Sequence, residues 1–218
     1  MTVQDVPWWG MASSAGAPVL LVGGWTVAAE QQPPSFDPVS DTVSELMAVD
    51  AADRWVMTAV FLAVGVCYVV TGIALRPAGL AGRLILIAGA VTGMMVAAHP
   101  QPAGGGGSVS HAVWASLGFA GLAAWPAGAW RRGSSVPWAL RPRVCFSAVA
   151  VQLLLLTWFV AELVIGAGQA GLAERVVGVD QALCPLAVVL SCRLSRISAG
   201  AWRHYIGGPQ VLANDTGP

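Results

Sequence analysis

Glu162 is the first residue whose surroundings suggest chemistry, because it is a carboxyl group inside a long apolar stretch. An ionisable side chain at the middle of a membrane helix costs about 2.5 to 3.5 kcal/mol, so it needs a structural or functional reason. Trp158 precedes Glu162 by one helical turn on the same face, and Gly166 follows it by one turn. Apolar surroundings favour the protonated form of a carboxyl group, which is the form that a general acid needs. The alternative is a buried ion pair with Arg175.

Three further carboxyl groups are candidates for catalysis. Asp180 lies inside the last apolar segment, just before Pro185, which is expected to kink the helix. It is a second candidate acid, a partner for Arg175, or an exposed residue if the helix begins later. Asp41 and Glu45 form an i, i+4 pair of like charges in a loop. If their face turns towards the protein, they could share a proton as a partner acid or final base; otherwise they form a solvated acidic surface.

Two histidines lie at the same predicted face of the membrane, since His99 ends one apolar segment and His111 opens the next. Two histidines with nearby acids could bind a metal ion, but their spacing matches no standard ligand set, and a catalytic zinc site would want a third. We therefore expect no metal and no cofactor. The histidine pair is interpreted as helix-end residues, with contact to a substrate as the functional alternative.

The ten Trp residues divide by their depth in the predicted membrane segments. Six fall at predicted interfaces, where an aromatic belt accounts for them: Trp8, Trp9, Trp55, Trp130, Trp138 and Trp202. Inside the segments lie Trp125 and, at the depth of the candidate acids, Trp25, Trp114 and Trp158. An indole face attracts positive charge without offering a nucleophile, so an acid among indoles suits a cationic intermediate. We expect these last three indoles to line a substrate site.

The composition indicates the class of protein that carries these residues. Only 10% of the 218 residues are charged and 56% are hydrophobic, whereas about a quarter of the residues of a soluble domain are charged. We therefore expect a membrane protein in contact with a lipid bilayer. The 11 basic and 11 acidic residues balance, which disfavours a nucleic-acid partner. No DDxxD, Walker, GxGxxG, GxSxG or HExxH pattern occurs, so phosphate-bearing substrates are poor candidates.

Six apolar stretches are long enough to cross a bilayer as helices, which takes roughly 20 residues each. They predict an all-α bundle of six transmembrane helices, approximately Met11–Ala29, Trp55–Leu75, Leu80–Ala98, Val109–Trp130, Val144–Ile165 and Ala173–Cys192. Residues 1–206 are expected to form one bundle, and residues 207–218 a disordered tail.

The charges of the connecting segments predict the orientation of the bundle. Nine of the 11 Arg residues flank the spans on one side, and only Arg54 and Arg175 fall on the other. Positive charge marks the cytoplasmic side, so both termini are expected in the cytoplasm of a bacterial cell, with the protein in its cytoplasmic membrane. The acidic residues collect on the opposite side. Most of them, Glu174 included, are assigned to the outer loops.

The longest outer connection, residues 30–54, is predicted to contain a short amphipathic helix. Asp37 followed by Pro38 is typical of a helix start. Downstream, apolar residues recur at helical spacing while polar ones fall on the opposite face. The apolar set is Val39, Val43, Leu46 and Met47, and the polar set is Asp41, Ser44 and Glu45.

The segment PVLLVGGWTVAAEQQPPSFDPVSDTVSEL, residues 18–46, resembles a domain-of-unknown-function family of small bacterial polytopic membrane proteins. The features shared are a Gly-Trp pair that ends the first helix and a D-P-x-S-D-T-x-S-E-L loop. The later stretches RWVMTAVFLAVGVCYVVTGIALRPAG and AAHPQP are similar to the same family. The resemblance extends to about Trp130, and it implies family membership without implying an activity.

Two functions are compatible with these features. The first is a membrane-embedded cyclase that protonates an alkene or epoxide of an isoprenoid chain and holds the carbocation in a Trp-lined cavity. In size and layout the chain is similar to the small polytopic cyclases of meroterpenoid and indole-terpenoid pathways, which is an analogy of fold. The second is a non-enzymatic membrane protein, either a proton-coupled carrier of small molecules or an accessory subunit. An enclosed aromatic cavity ending in an acid would favour the cyclase.

Overall fold

The computed structural model describes residues 6–103 and 107–206, of which residues 196–206 are described by their backbone alone. The described residues form six long helices and contain no strand. The helices are α1 (Trp8–Glu30), α2 (Trp55–Ala74), α3 (Leu80–Ala98), α4 (Val109–Ala129), α5 (Pro142–Ile165) and α6 (Ala170–Ile206). Each is long and apolar enough to cross a membrane, in α6 over residues Ala170–Ser195. The protein is therefore an all-α polytopic membrane protein, as the hydropathy predicts.

The six helices give the bundle two ends with different chemistry. The loop end carries residues 31–54, 99–103, 107–108 and 166–169, and the arginine end carries residues 75–79 and 130–141. At the arginine end, Arg83 donates from Nε to the carbonyl of Gly72 at 2.8 Å and from Nη2 to that of Ile73 at 3.0 Å. These carbonyls belong to the last turn of α2, where a cation is favoured by the helix dipole. Arg83 therefore caps the C-terminal end of α2, which explains why a charged residue lies inside the third predicted span.

Glycine allows α3 and α4 to pack closely, and these two helices make the most extensive contact in the bundle. A methyl group added at Gly82 would meet the backbone of Ala129, and one added at Gly121 would meet that of Gly89. Lipid is as apolar as the helix surfaces, so contact between membrane helices depends on close packing of small residues.

The helices differ in how much of their surface is covered by protein. In α6, 44% of the most apolar stretch is buried, against 11% in α5. Many large apolar side chains of α5 are exposed, among them Leu154 and Val164, as expected for surfaces that face lipid. α6 is therefore the most buried of the six helices and α5 the least buried.

The structure corrects the predicted start of two elements. The short helix of the long loop does not begin at Asp37; it is a single 3-10 turn, Ser44–Met47, preceded by turns. The sixth helix begins at Ala170 rather than Ala173, which places Glu174 inside the helix and not in a loop. The predicted tail, residues 207–218, lies outside the described residues.

We expect Gly82→Ala to destabilise the bundle, because the added methyl group has no space against α4. Overpacking of this kind costs about 1 to 3 kcal/mol, which exceeds the roughly 1 kcal/mol that Ala gains over Gly in a helix. Gly23→Ala is the matched control, since nothing lies within 4 Å of its added methyl group. Thermal unfolding in detergent measures both. Equal midpoints for the two variants would contradict the packing argument.

Candidate functional site

The loop of residues 37–47 folds on its own side chains. Asp37 Oδ1 accepts a hydrogen bond from the backbone N–H of Val39 at 3.0 Å, and Asp41 Oδ2 accepts one from the N–H of Asp37 at 2.9 Å. The Ser40 hydroxyl donates to Asp41 Oδ1 at 3.1 Å. Short polar side chains that bond the nearby backbone are typical of tight turns. The carboxyl of Asp41 thus has a structural use within the loop.

A capping box starts the 3-10 turn. The Thr42 hydroxyl accepts from the Glu45 N–H at 3.3 Å, and Glu45 Oε2 accepts from the Thr42 N–H at 2.9 Å, which is the reciprocal pattern of such a box. Partial burial, followed by repulsion from Asp41, raises the pKa of Glu45, against the opposing effects of the Thr42 N–H and of Arg175. Because the docked carboxyl holds its proton more tightly than a free one, ionisation of Glu45 as the pH rises opposes docking of the loop.

Glu174, in the second turn of α6, accepts hydrogen bonds from this loop. Its Oε2 accepts from the backbone N–H of Val43 at 2.6 Å, and its Oε1 accepts from the Ser44 hydroxyl at 3.1 Å. The side chain is only 4% exposed. Hydrogen bonds to an ionised acceptor are shorter and about twice as strong as neutral ones. The contact joins residues 131 positions apart in the sequence.

The start of α6 makes a second set of contacts with the same loop. The first N–H groups of a helix lack partners within it, and here those of Gly171 and Leu172 donate to the carbonyls of Ser40 and Val39 at 3.2 and 2.9 Å. Arg175 Nη1 donates to the carbonyls of Pro38 at 2.6 Å and Asp41 at 2.9 Å. A methyl group at Gly171 would collide with those two carbonyls. Glycine is therefore required where the loop backbone crosses the helix.

An apolar cavity of about 90 Å³ lies beneath the loop. It is partly open and receives residues from α1, α2, α3, α4 and α6. Four aromatic rings line it: Trp25, Phe61, Tyr68 and Phe119. A neighbouring cavity of about 70 Å³, which Ser44 also lines, shares Glu174, Phe61 and Phe119 with it. For comparison, an engineered apolar cavity of about 150 Å³ binds benzene.

Glu174 is the carboxyl group of this cavity. Gln181 lies two turns further along the same face of α6, and its Nε2 is occupied by a bond to the carbonyl of Phe119 at 3.0 Å. One carboxyl in a mostly apolar space can bind the polar end of a ligand or transfer a proton to an apolar one. The lining therefore combines an acid with aromatic walls, which is the arrangement that the sequence suggested around other carboxyl groups.

The predicted acids Glu162 and Asp180 lie elsewhere. Glu162, near the end of α5, accepts from the indole N–H of Trp158 at 3.3 Å and from the backbone N–H of Gln169 at 3.1 Å. The alternative that paired Glu162 with Arg175 is wrong, because within the described residues Arg175 Nη1 donates to backbone carbonyls and Nη2 has no hydrogen-bond partner. Asp180 lines a different cavity, on another face of α6. Neither carboxyl is among the residues that line the cavity beneath the loop.

The histidines and two of the three predicted indoles form local contacts. His99 Nδ1 bonds the carbonyl of Met95 at 2.8 Å, and His111 Nδ1 bonds the carbonyl of His99 at 2.9 Å. Trp114 packs on His99 with ring centroids 5.9 Å apart. Among the described residues, no group of three His, Cys, Asp or Glu could hold a metal ion. Of the predicted wall, Trp25 alone lines the cavity beneath the loop.

Sequence reasoning missed Glu174 because the residue stands at the predicted start of the sixth span and was grouped with the acidic residues of the outer loops, whereas the helix begins four residues before it. A helical signal was present, since Glu174 and Gln181 are seven residues apart and so share one face of a helix.

A family model described as a protein of unknown function, DUF998, matches residues 14–191 of the chain. No curated protein and no solved structure matches it.

We expect Glu174→Ala to release the loop, because it leaves the Val43 N–H and the Ser44 hydroxyl without their acceptor. Loss of a buried acceptor costs about 1 to 3 kcal/mol, so amide hydrogen exchange of residues 39–47 should accelerate about tenfold or more. Glu30→Ala, at the exposed end of α1, is the control and should leave this exchange unchanged. Unchanged protection in Glu174→Ala would show that other contacts hold the loop.

Proposed function

This chain belongs to the DUF998 family of proteins of unknown function, and from its geometry we propose that it is a membrane-embedded isoprenoid cyclase with Glu174 as the general acid. The observation that carries the proposal is a single, almost fully buried carboxyl at the loop end of an aromatic cavity. An acid that starts carbocation chemistry needs an apolar neighbour to protonate and no water to compete for the proton. The docked loop covers the cavity at that point.

The reaction uses one group for both proton transfers. Protonated Glu174 gives its proton to the terminal alkene or epoxide of the chain, so that a C–H or O–H bond forms and a tertiary cation remains. An internal alkene then attacks the cation and closes the ring. Loss of a proton to the Glu174 carboxylate ends the reaction, and the product is an isomer of the substrate. The Ser44 hydroxyl, 3.1 Å from Oε1, can rotate to accept a hydrogen bond from the O–H of the neutral carboxyl.

The cavity wall suits a cation. Aromatic faces attract positive charge, and Trp25, Phe61 and Phe119 surround the space without adding a strong nucleophile. Its volume of about 90 Å³ fits the reacting end of a chain and not the whole of it, because the adjoining cavity adds only about 70 Å³. The remainder of an isoprenoid substrate would extend through the open side of the cavity into the bilayer.

The alternative from the sequence, a proton-coupled carrier or accessory subunit, has less support. A carrier needs a path that can reach both ends of the bundle. The cavity lining extends from Val43 at the loop end to Tyr68 and Gln181 near mid-helix. Gln152 and Asp180 belong to another cavity.

The membrane is proposed to be a bacterial cytoplasmic membrane, with the arginine end and both termini in the cytoplasm. The support is the sorting of charge, since Arg76, Arg131 and Arg141 lie at the arginine end. Full-length fusions test it: a green fluorescent protein at the C-terminus should fluoresce, and alkaline phosphatase at the same place should be inactive. The reverse pair of results would invert the orientation and place the loop in the cytoplasm.

The catalytic proposal is tested in deuterated buffer with membranes that contain the full chain. A farnesyl-substituted phenol and its terminal epoxide serve as substrates. We expect the wild type to form a cyclised isomer, with one deuterium on carbon when the alkene is used. Glu174→Gln should lower turnover at least about 100-fold, since general acids contribute about 10²- to 10⁴-fold.

Two kinds of control separate the role of Glu174 as an acid from its role in holding the loop. Ser44→Ala removes one bond to the loop and leaves the carboxyl in place, so it should retain most turnover. Glu162→Gln and Asp180→Asn remove carboxyls outside the cavity and should be close to wild type. Wild-type turnover in Glu174→Gln, or a cyclised alkene product without deuterium, would overturn the assignment of Glu174. Substrate binding without any product would favour the non-enzymatic alternative.

A further inference from the structure

A second and larger cavity lies between α5 and α6, near the arginine end. Its volume is about 360 Å³, within the range of pockets for small molecules, roughly 300 to 1,000 Å³. It extends from Gln152 and Asp180, near the middle of their helices, to Trp138 and Val144 close to the arginine end. Its lining residues come from α4, α5, α6 and the 3-10 turn Trp138–Leu140. The site is independent of the proposed cyclase.

Gln152 is the unusual residue of this cavity. The side chain is 1% exposed, and neither its Nε2 nor its Oε1 has a hydrogen-bond partner among the described residues. The Cys184 thiol lies beside the amide but is only a weak donor and acceptor. A buried polar group without a partner costs about 1 to 3 kcal/mol. Such a group in an apolar cavity indicates an absent partner that offers both an acceptor and a donor.

Asp180 provides a second polar group in the same cavity. It lies ten residues into α6 and is half-buried. No hydrogen bond to its carboxyl occurs within residues 6–103 and 107–195. A carboxyl at this depth needs a partner as Glu162 does, but Glu162 has two donors. The amide and the carboxyl therefore present two donor or acceptor groups to one space.

The remaining lining limits what the occupant can be. Ala148, Val151, Leu183 and Val188 give the cavity apolar walls, so most of the ligand must be apolar. α5 is the helix least covered by protein, so a ligand in the bilayer has only a short path into the cavity. We propose that this cavity binds a neutral, membrane-soluble molecule with a hydroxyl group on an apolar body, a phenol or an aliphatic alcohol. The hydroxyl oxygen accepts from Gln152 Nε2, and its proton is donated to Asp180 or to Gln152 Oε1.

The test uses full-length protein in lipid nanodiscs and three probes of similar shape. 2-Naphthol can donate and accept, 2-methoxynaphthalene can only accept, and naphthalene can do neither. Ligands that bind the folded state raise the unfolding midpoint by mass action, so titration of the midpoint gives apparent affinities. We expect the wild type to prefer 2-naphthol over naphthalene at least tenfold, and Gln152→Met to lose that preference. Comparing variants in the same lipid cancels the partitioning of each probe.

Gln181→Met is the matched control, because that amide is already bonded to Phe119 and lines the other cavity. It should keep the preference for 2-naphthol. The unliganded midpoint of Gln152→Met should equal or exceed that of the wild type, since the variant removes an unpartnered amide; a purely structural role for Gln152 would lower it.

A comparison of 1-decanol with decane shows whether the ligand is an aliphatic alcohol rather than a phenol. A preference for 1-decanol over decane, or for 2-naphthol over naphthalene, supports the site if Gln152→Met loses it. Equal binding of 2-naphthol and naphthalene by the wild type would mean that the cavity holds only apolar chains. That result, an absence of saturable binding, or an unchanged preference in Gln152→Met overturns the proposal.

Discussion

The docking of residues 37–47 on the start of α6 is the interaction on which the rest of the site depends. Two backbone N–H groups of α6, the Glu174 carboxyl and the Arg175 guanidinium all bond the same loop. These groups would otherwise be unsatisfied near or within the bilayer, where no water replaces a lost partner. Because Leu46 and Met47 are then fully buried, the loop becomes part of the core. The docked loop also lines the space beneath it, through Val43 in one cavity and Ser44 in its neighbour.

The burial of α6 within the protein explains why its polar residues can be tolerated. Glu174 and Gln181 share one face and are satisfied by the loop and by Phe119. Asp180, next in sequence to Gln181, lines a cavity on a different side. One helix therefore separates two spaces of different character. In the smaller aromatic one Glu174 and Gln181 are hydrogen-bonded, and in the larger one Gln152 and Asp180 have no hydrogen-bond partner among the described residues. That contrast favours chemistry in the first and ligand binding in the second.

The fold could be predicted from the sequence because the bilayer allows few solutions. Apolar stretches of about 20 residues must be helices, and five of the six predicted spans differ from the observed helices by at most three residues at either end. The D-P-x-S-D-T-x-S-E-L pattern contains its own local bonds, such as the Thr42–Glu45 capping box. The site was less predictable because its key contact, from Glu174 to Val43, joins distant parts of the chain. The unpartnered amide of Gln152 could not be predicted for another reason. Hydropathy records one polar residue in an apolar segment and says nothing about its hydrogen-bond partners.

The two uses of Glu174 in the proposed reaction constrain each other. Its hydrogen bonds to the loop are strongest when the carboxyl is ionised, since both oxygens then accept, one from the Val43 N–H and one from the Ser44 hydroxyl. As an acid it must carry a proton, and a proton on Oε1 forces the Ser44 bond to reverse and removes the charge that strengthens the bond to Val43. Protonation therefore weakens these two hydrogen bonds. In the proposed reaction the carboxyl would hold the loop most firmly after it has given its proton away, when a reactive cation most needs protection from water.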